Sequence, residues 1–337
     1  MLFCGIDLHS NNCFVVISDE SDRAVYSKRH GNDLGEILSV LEPFRQEISG
    51  IVVESTYNWY WLVDGLQEAG YPLHLANTTA IKQYDGLKHR GDQSDAQHLA
   101  QLFRLGLLPE GHITPKAWRG VRNLARKRMQ LVQQRSQHIL AIETQMDQHK
   151  GCRLQANEIK KLSETDIDAM NLGTMEALAM KANLRVMQAV HAEIKEIEAQ
   201  LKGFCSQVPQ FSLLTSVCGI GDVLATVILL ETGAIDRFAG AGNYASYCRC
   251  VGSCHVSNGK KKGEGNTKNG NRYLSWAFVE AAHYAIRYST AANRFYQRKR
   301  TKRNGVVGIK AVAHKLARAC YHMLKNGEPF SIERCFV

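Results

Sequence analysis

The sequence predicts an α/β N-terminal domain, a helical coiled-coil linker and a mainly α-helical C-terminal domain. Three observations predict it. Short strand-like runs alternate with amphipathic helical segments over residues 1–112. A polar, breaker-poor stretch follows over 113–207. Apolar helical segments with glycines at their joints, then a basic tail, fill 208–337.

The elements of the first part follow in order. Residues 2–8 and 12–18 are rich in β-branched and aromatic side chains and read as strands. Arg23 to Arg29 reads as a third strand. Leu34, Ile37, Leu38 and Leu41 share one face of a helix over Asp33 to Phe44. Gly50 to Glu54 is a short apolar run, hence a buried strand. Tyr57 to Ala69 reads as a helix closed by Gly70, and Tyr71 to Ala76 as a further strand. Asp92 to Leu105 reads as a helix closed by Gly106. The order β-β-β-α-β-α-β-α is that of an RNase H-like (RuvC-like) nuclease domain.

In the second part, Lys116 to Lys150 reads as a long polar helix. Met187, Val190, Ile194, Ile197 and Leu201 make a short a/d seam in a helix over Asn183 to Leu201. The pair is either an antiparallel hairpin or oligomerisation arm, or simply two amphipathic helices packed within one chain. In the third part, a Gly/Lys-rich loop spans Asn258 to Asn271 and a helical basic tail follows.

Charge is segregated along the chain. Residues 1–115 hold 8 Lys/Arg against 15 Asp/Glu, a net of −7. Residues 116–337 hold 34 against 17, a net of +17. Segregation of this size points to a polyanionic partner, most simply nucleic acid. No apolar run is long enough to cross a bilayer, and the N-terminus lacks the regions of a secretory signal. A cytoplasmic protein with no membrane partner is expected. The ten cysteines are scattered, so free thiols are expected. The cluster Cys248, Cys250, Cys254, His255 lacks the second knuckle of a zinc site and reads as ordinary small side chains.

Four acids carry the chemical reading. Asp7 lies at the end of the first strand and Glu54 at the end of the fourth. Asp92 and Asp95 start a helix three residues apart, on one face. Phosphodiester chemistry near neutral pH uses hard divalent cations held by carboxylate oxygens, and two metals clamp the attacking and leaving oxygens. A two-metal Mg²⁺ site is expected, with Mn²⁺ as an alternative ion. Taken singly, Asp92 and Asp95 read as helix-dipole caps and Asp7 as a turn residue; the four together, in this order, point to a metal site.

These blocks resemble a family. Gly5-Ile6-Asp7-Leu8-His9, Val53-Glu54-Ser55-Thr56 and Gly91-Asp92-Gln93-Ser94-Asp95-Ala96 are similar to the DEDD blocks of the IS110/IS1111 insertion-sequence transposases. Leu214 to Gly221 is similar to that family's Pro-Gly-Ile-Gly hairpin. Asp236-Arg237-Phe238, Tyr244-Ala245-Ser246-Tyr247 and Lys268 to Leu274 look like the rest of its transposase domain. The resemblance implies a metal-binding tetrad of Asp7, Glu54, Asp92 and Asp95 and a nucleophilic serine at Ser257. It implies multimers, from dimer to tetramer, in which the carboxylates of one subunit meet the serine of another. It also implies guidance by a non-coding RNA of the element, paired to donor and target DNA. The sequence departs from the pattern at Arg249-Cys250-Val251-Gly252, which leaves Ser253 as an alternative nucleophile.

Basic residues complete the picture. Lys260, Lys261, Lys262, Lys268 and Arg272 lie in a glycine-rich segment that lets backbone approach phosphates. Gly219 and Gly221 frame a helix-hairpin-helix-like turn whose amides suit one phosphate. Arg298, Lys299 and Arg300 form a dense run, and Arg119, Arg122 and Arg126 recur at helical spacing on the linker. Three functions compete: an RNA-guided recombinase working through a phosphoserine intermediate, a metal-dependent hydrolytic nuclease acting on branched DNA, and a nucleic-acid-binding protein without catalysis.

Overall fold

A computed structural model describes residues 1–81, 91–253, 255–263 and 269–336, with the backbone alone at His255 and Lys261. The chain divides into two compact units, Met1–Lys116 and Ala117–Val337.

The first unit is built on a five-stranded mixed sheet in the order β3-β2-β1-β4-β5. Its strands are β1 (Leu2–Leu8), β2 (Asn12–Ser18), β3 (Ala24–Gly31), β4 (Ile48–Glu54) and β5 (Leu73–Ala76). Strands β1, β2 and β3 pair antiparallel, whereas β1–β4 and β4–β5 pair parallel. Every residue of β1 is buried, because helices cover both faces of the sheet. Cys4, Ile6 and Leu8 enter a core with Ile37 and Leu41 of α1 (Leu34–Leu41) and with Leu62 and Leu66 of α2 (Tyr60–Glu68). Successive strand side chains alternate faces. Phe3, Gly5 and Asp7 therefore share the opposite face, which α3 (Asp92–Arg104) covers.

At Gly5, helix α3 sits so close to β1 that no side chain fits between them. A Cβ on Gly5 would lie 1.9 Å from the carbonyl oxygen of Ala96. A second anchor fixes the far end of α3. Arg104 donates to both carboxylate oxygens of Asp22 at 2.8 and 2.6 Å, and Gln101 donates to one of them at 3.1 Å. Asp22 lies in the β2–β3 turn with a φ of 60°, and the Arg104 bond holds its carboxyl below the usual range.

In the second unit, α4 (Lys116–Lys150) and α7 (Thr174–Cys205) run antiparallel. Arg128 pairs with Glu198 at 2.6 Å, Arg135 with His191 at 2.7 Å, and His138 with Asn183 at 3.0 Å. One partner's number rises as the other's falls, the register of a hairpin. Of the readings left open above, the two helices make a hairpin within one chain. Helix α7 begins nine residues before the expected Asn183, because Thr174 to Ala182 holds no breaker and several strong helix formers. The connection is also not a plain loop. It contains α5 (Ala156–Ile159) and α6 (Glu164–Ala169), whose Ile159 and Ile167 close a small core with Ile142, Met146, Met180 and Leu184.

The rest of the unit comprises α8 (Pro209–Thr215), α9 (Asp222–Thr232), α10 (Ala241–Tyr247), α11 (Arg272–Tyr288), α12 (Thr290–Lys302), α13 (Gly305–Asn326) and α14 (Ile332–Phe336). Helix α9 is buried from Leu224 to Thr232 and is apolar on nearly every side, as a central helix must be. Where a loop was expected from Asn258, a short hairpin forms from β6 (His255–Ser257) and β7 (Lys260–Gly263). Asn258 and Gly259 turn it with φ of 51° and 70°, the left-handed pair that two-residue hairpins need. The nine described cysteines are free. Burial pushes the Cys250 thiol up to about 12 and raises that of Cys248 further. Among the described residues, no helix is long and apolar enough to cross a membrane.

The Gly5 contact yields a prediction. Gly5→Ala must displace the α3 backbone, so it costs on the order of 2–4 kcal/mol, the upper range for overpacking. A chemical-denaturation midpoint equal to that of the parent protein would refute the contact.

Candidate active site

The alternation of β1 aims Asp7 toward α3, and the carboxylate is only 3% exposed. Strand β4 runs beside β1 with Val53 opposite Ile6, so Glu54 ends its strand next to Asp7. Asp92 and Asp95 both lie in the first turn of α3, where the helix dipole favours negative charge. Ser94 Oγ caps that turn, donating to the Gly91 carbonyl at 2.7 Å and accepting from the Gly91 amide at 3.1 Å. The fold thus gathers all four predicted acids at one end of the sheet.

Their electrostatics are strained. The Glu54 carboxyl is pushed up to about 8, first by burial, then by the adjacent Asp7 carboxyl, and further by the Asp95 charge. Like charges brought together out of water cannot all ionise without a cation. Two neighbours offset part of the charge. Arg29 donates to Asp92, and His9 Nε2 lies 3.3 Å from both an Asp7 and an Asp92 oxygen. Asp7, His9 and Asp92 can each turn a ligand atom to within 4.8 Å of the others.

His9 was not among the predicted site residues. It follows Asp7 by two along an extended segment, so the strand period carried the only signal of its direction. Its backbone is pinned from two sides. Asn32 and Asn58 donate to the His9 carbonyl at 3.1 and 2.9 Å. A hard divalent cation fits this oxygen-rich set, because it would let Glu54 ionise and would take up the repulsion that burial enforces.

Ser257 lies in the other unit. It is exposed at the end of β6, paired with Lys260 across the hairpin. Ser253, the alternative, is half-buried. Lys260 and Lys262 are exposed on β7, Lys261 is known by its backbone alone, and Lys268 lies outside the described residues. Arg298, Lys299 and Arg300 are exposed along α12.

The remaining basic residues are more deeply embedded. Arg119 is buried and Arg122 half-buried. Arg126 grips the buried Glu231 through two bonds, at 2.6 and 2.7 Å, and lies over the Tyr273 ring at 4.5 Å. Glu231 also accepts from Asn271 at 2.7 Å, and Asn271 caps α11 through the amides of Tyr273 and Leu274. One carboxylate therefore ties α4, α9 and the start of α11 together. Arg272 is exposed, with its guanidinium 4.9 Å from the Tyr273 ring. Gly219, at φ 96°, lies against α11, where a Cβ would sit 2.5 Å from the Ala281 carbonyl oxygen. Gly221 precedes α9 with open space at its Cα, and the neighbouring Asp222 pairs with Lys202 at 2.7 Å.

A family model for the IS110 DEDD domain, described as "Transposase", matches residues 4–150. A second, described as "Transposase IS116/IS110/IS902 family", matches residues 211–297. The chain is also 25% identical over 167 residues to the "Insertion element IS110 uncharacterized 43.6 kDa protein" of Streptomyces coelicolor. That alignment spans 49% of this chain and 41% of the relative.

Two predictions follow from the geometry. Glu231→Ala removes the bidentate partner of Arg126 and the nearer acceptor of the Asn271 amide. It should cost on the order of 3 kcal/mol in a urea titration, and Glu231→Gln should cost less. The second concerns pH. The Glu54 carboxyl binds its proton more tightly folded than unfolded, so from its ordinary value near 4.5 up to about 8 the folded state holds the extra proton. Stability therefore falls as pH rises through that interval. With chelator present, the thermal midpoint should drop across it, Glu54→Gln should flatten the profile, and Mg²⁺ or Mn²⁺ should raise the midpoint most at the alkaline end. A metal-independent profile would count against a cation at these acids.

Proposed function

Because the chain belongs to the IS116/IS110/IS902 transposase family, we propose that it cuts and rejoins DNA strands as the transposase/recombinase of an insertion sequence. The single observation carrying this reading is the convergence of Asp7, Glu54, Asp92 and Asp95 with Glu54 held protonated up to about 8. In this reading the first unit is an RNase H-like nuclease domain, supported by its sheet order and by acids at the ends of β1 and β4 and the start of α3. The division into residues 1–112, 113–207 and 208–337 is proposed with it. The α4–α7 hairpin would serve as the linker and the helical remainder as the serine-bearing domain.

Asp7, Glu54, Asp92 and Asp95 would hold Mg²⁺, or Mn²⁺, which when bound supplies Lewis-acid polarisation of the phosphate. The chain's own groups do the rest. Arg29 and His9 orient Asp92 and Asp7. Ser257 Oγ attacks phosphorus, its proton leaves to a base, and the bridging P–O bond to the neighbouring sugar breaks as that oxygen takes up a proton. The phosphoserine ester keeps the bond's energy, so a second DNA hydroxyl can displace Ser257 and reseal without an external energy source. Exposure of Ser257 on a hairpin tip beside Lys260 and Lys262 supports the nucleophile assignment, since a polyanion can reach it. Donor and target DNA, an element-encoded guide RNA and a homo-oligomer are proposed as partners.

A denaturing gel of labelled donor DNA with protein, Mg²⁺ and RNA from the element's flanks tests this. A protease-sensitive shifted band should form with the parent protein and with Ser253→Ala. It should vanish with Ser257→Ala and with Asp92→Ala. Cleavage without any adduct, indifferent to both serine changes, would leave a hydrolytic nuclease. Binding without cleavage under every condition would leave a non-catalytic binding protein.

A further inference from the structure

One face of α11 carries large rings that the proposed chemistry leaves unused. Trp276, Tyr284 and Tyr288 stand at multiples of four residues, so they line one ridge with Glu280 between them. Tyr284 is 46% exposed and Tyr288 67%. Their rings are parallel to within 6°, with centroids 6.4 Å apart. The Arg287 guanidinium lies 5.5 Å from the Tyr288 ring. Tyr273, at the head of the helix, is different, because Arg126 and Arg272 already lie against its ring.

A groove runs alongside this ridge. Two cavities, of about 670 and 780 Å³, share Trp276 as a common wall. The first is bounded by Lys127, Gln130 and Gln133 of α4 and by Arg272. The second is bounded by Val132, Ile220, Tyr284 and Tyr288. They adjoin at Trp276 and form a trough along α11, walled by α4 and, at the second cavity, also by the α8–α9 connection.

The chemistry of the trough selects its occupant. Tyr284 and Tyr288 are an exposed pair of rings, with the half-buried Trp276 on the same ridge, and exposed rings on a surface mark a contact site. Lys127, Arg272, Gln130 and Gln133 line the first cavity, whereas Tyr284 and Tyr288 share the second with the aliphatic side chains of Val132, Val217 and Ile220 and with Asp222 and Glu280. Flat rings stack on base faces, Gln130 and Gln133 offer both donors and acceptors to base edges, and Lys127, Arg272 and Arg287 neutralise phosphates. The net +17 of residues 116–337 suits the same ligand. A duplex hides its base faces inside the stack, so only an unpaired strand can use the rings. Trp276 to Tyr288 spans about 18 Å at the rise of a helix, enough for on the order of three to five nucleotides.

We propose that the α4–α11 groove is a track for a single-stranded nucleic-acid segment, whose bases stack on Trp276, Tyr284 and Tyr288. Phosphates lie toward Lys127, Arg272 and Arg287. Glu280, in the middle of the ridge, repels phosphate and accepts hydrogen bonds from amino groups of bases. The proposal rests on the nucleic-acid reading given above, but it concerns binding and not cleavage.

Fluorescence anisotropy with the full chain tests it, using labelled oligothymidylate and a duplex of equal length. Tyr284→Ala combined with Tyr288→Ala should weaken single-strand binding about tenfold or more. It should leave duplex binding and the salt slope unchanged, since no charge is removed. Tyr288→Ala alone should give part of the loss, and the paired Tyr→Phe variants should retain affinity because a phenyl ring still stacks. Matching circular dichroism and unfolding midpoints establish that the variants fold, and Tyr288→Ala, at the more exposed site, serves if the double variant does not. Unchanged single-strand affinity would overturn the proposal, as would equal losses on strand and duplex. So would a drop in sedimenting mass with strand affinity intact, which would make the face a contact between copies. Asp7→Ala should abolish cleavage and spare oligothymidylate binding, so the two readings fail separately.

Discussion

Helix α3 reaches the end of β1 because residue 5 has no side chain. The Ala96 carbonyl occupies the space a Cβ would need, and the Arg104–Asp22 clamp holds the other end of the helix against the β2–β3 turn. Everything at the candidate site depends on that approach. With α3 seated, Asp92 and Asp95 arrive beside Asp7 and Glu54 with no freedom to retreat. Apolar packing of the sheet and helix stabilises the arrangement, and crowding of four carboxyls works against it. The raised Glu54 value measures that conflict. A fold that maintains such a cluster by packing gains from whatever cation relieves it, so metal binding and stability are linked.

Glu231 makes the opposite case within the same chain. It is also buried, yet it meets a bidentate guanidinium and an amide donor, and its position is structural. Buried carboxylates thus divide by company. One with a full set of donors ties elements together, and one facing other acids stays protonated unless a cation relieves it. The same test sorts the cations. Arg126 is committed to Glu231, whereas Arg298, Lys299, Arg300, Lys260 and Lys262 stand exposed. Only the second kind is free to meet a polyanion without breaking the fold.

Much of the first unit was legible in the sequence because its signals are local. The strand bounds of β1 and β2 follow from β-branched runs, and Asp92 and Asp95 announce a helix start. The four acids could be picked out because each ends or begins an element. Other features depend on contacts that no local pattern carries. The reason for Gly5 lies 91 residues away at Ala96. Arg126 reads as a surface cation on its helix, and its partner is 105 residues distant. His9 needed the strand's direction at its frayed end. Asn258-Gly259 was visible as turn chemistry, but the residues flanking it, lysines and a serine, lack the alternating apolar pattern that would have turned a loop into a hairpin.

Under the proposed reading, the charge segregation acquires a mechanical sense. The unit bearing the acids is net negative over residues 1–115 and would by itself repel a phosphate backbone. Binding energy must then come from elsewhere, and residues 116–337 carry the positive charge for it. Charge alone, however, grips any duplex in any register. Rings that stack only on unpaired bases add a criterion that charge cannot, the strandedness of the ligand. A chain built this way separates three tasks physically. In that reading the carboxylates would hold a cation, the cations would hold phosphate without regard to sequence, and the exposed tyrosines of α11 would discriminate an opened strand from a closed one.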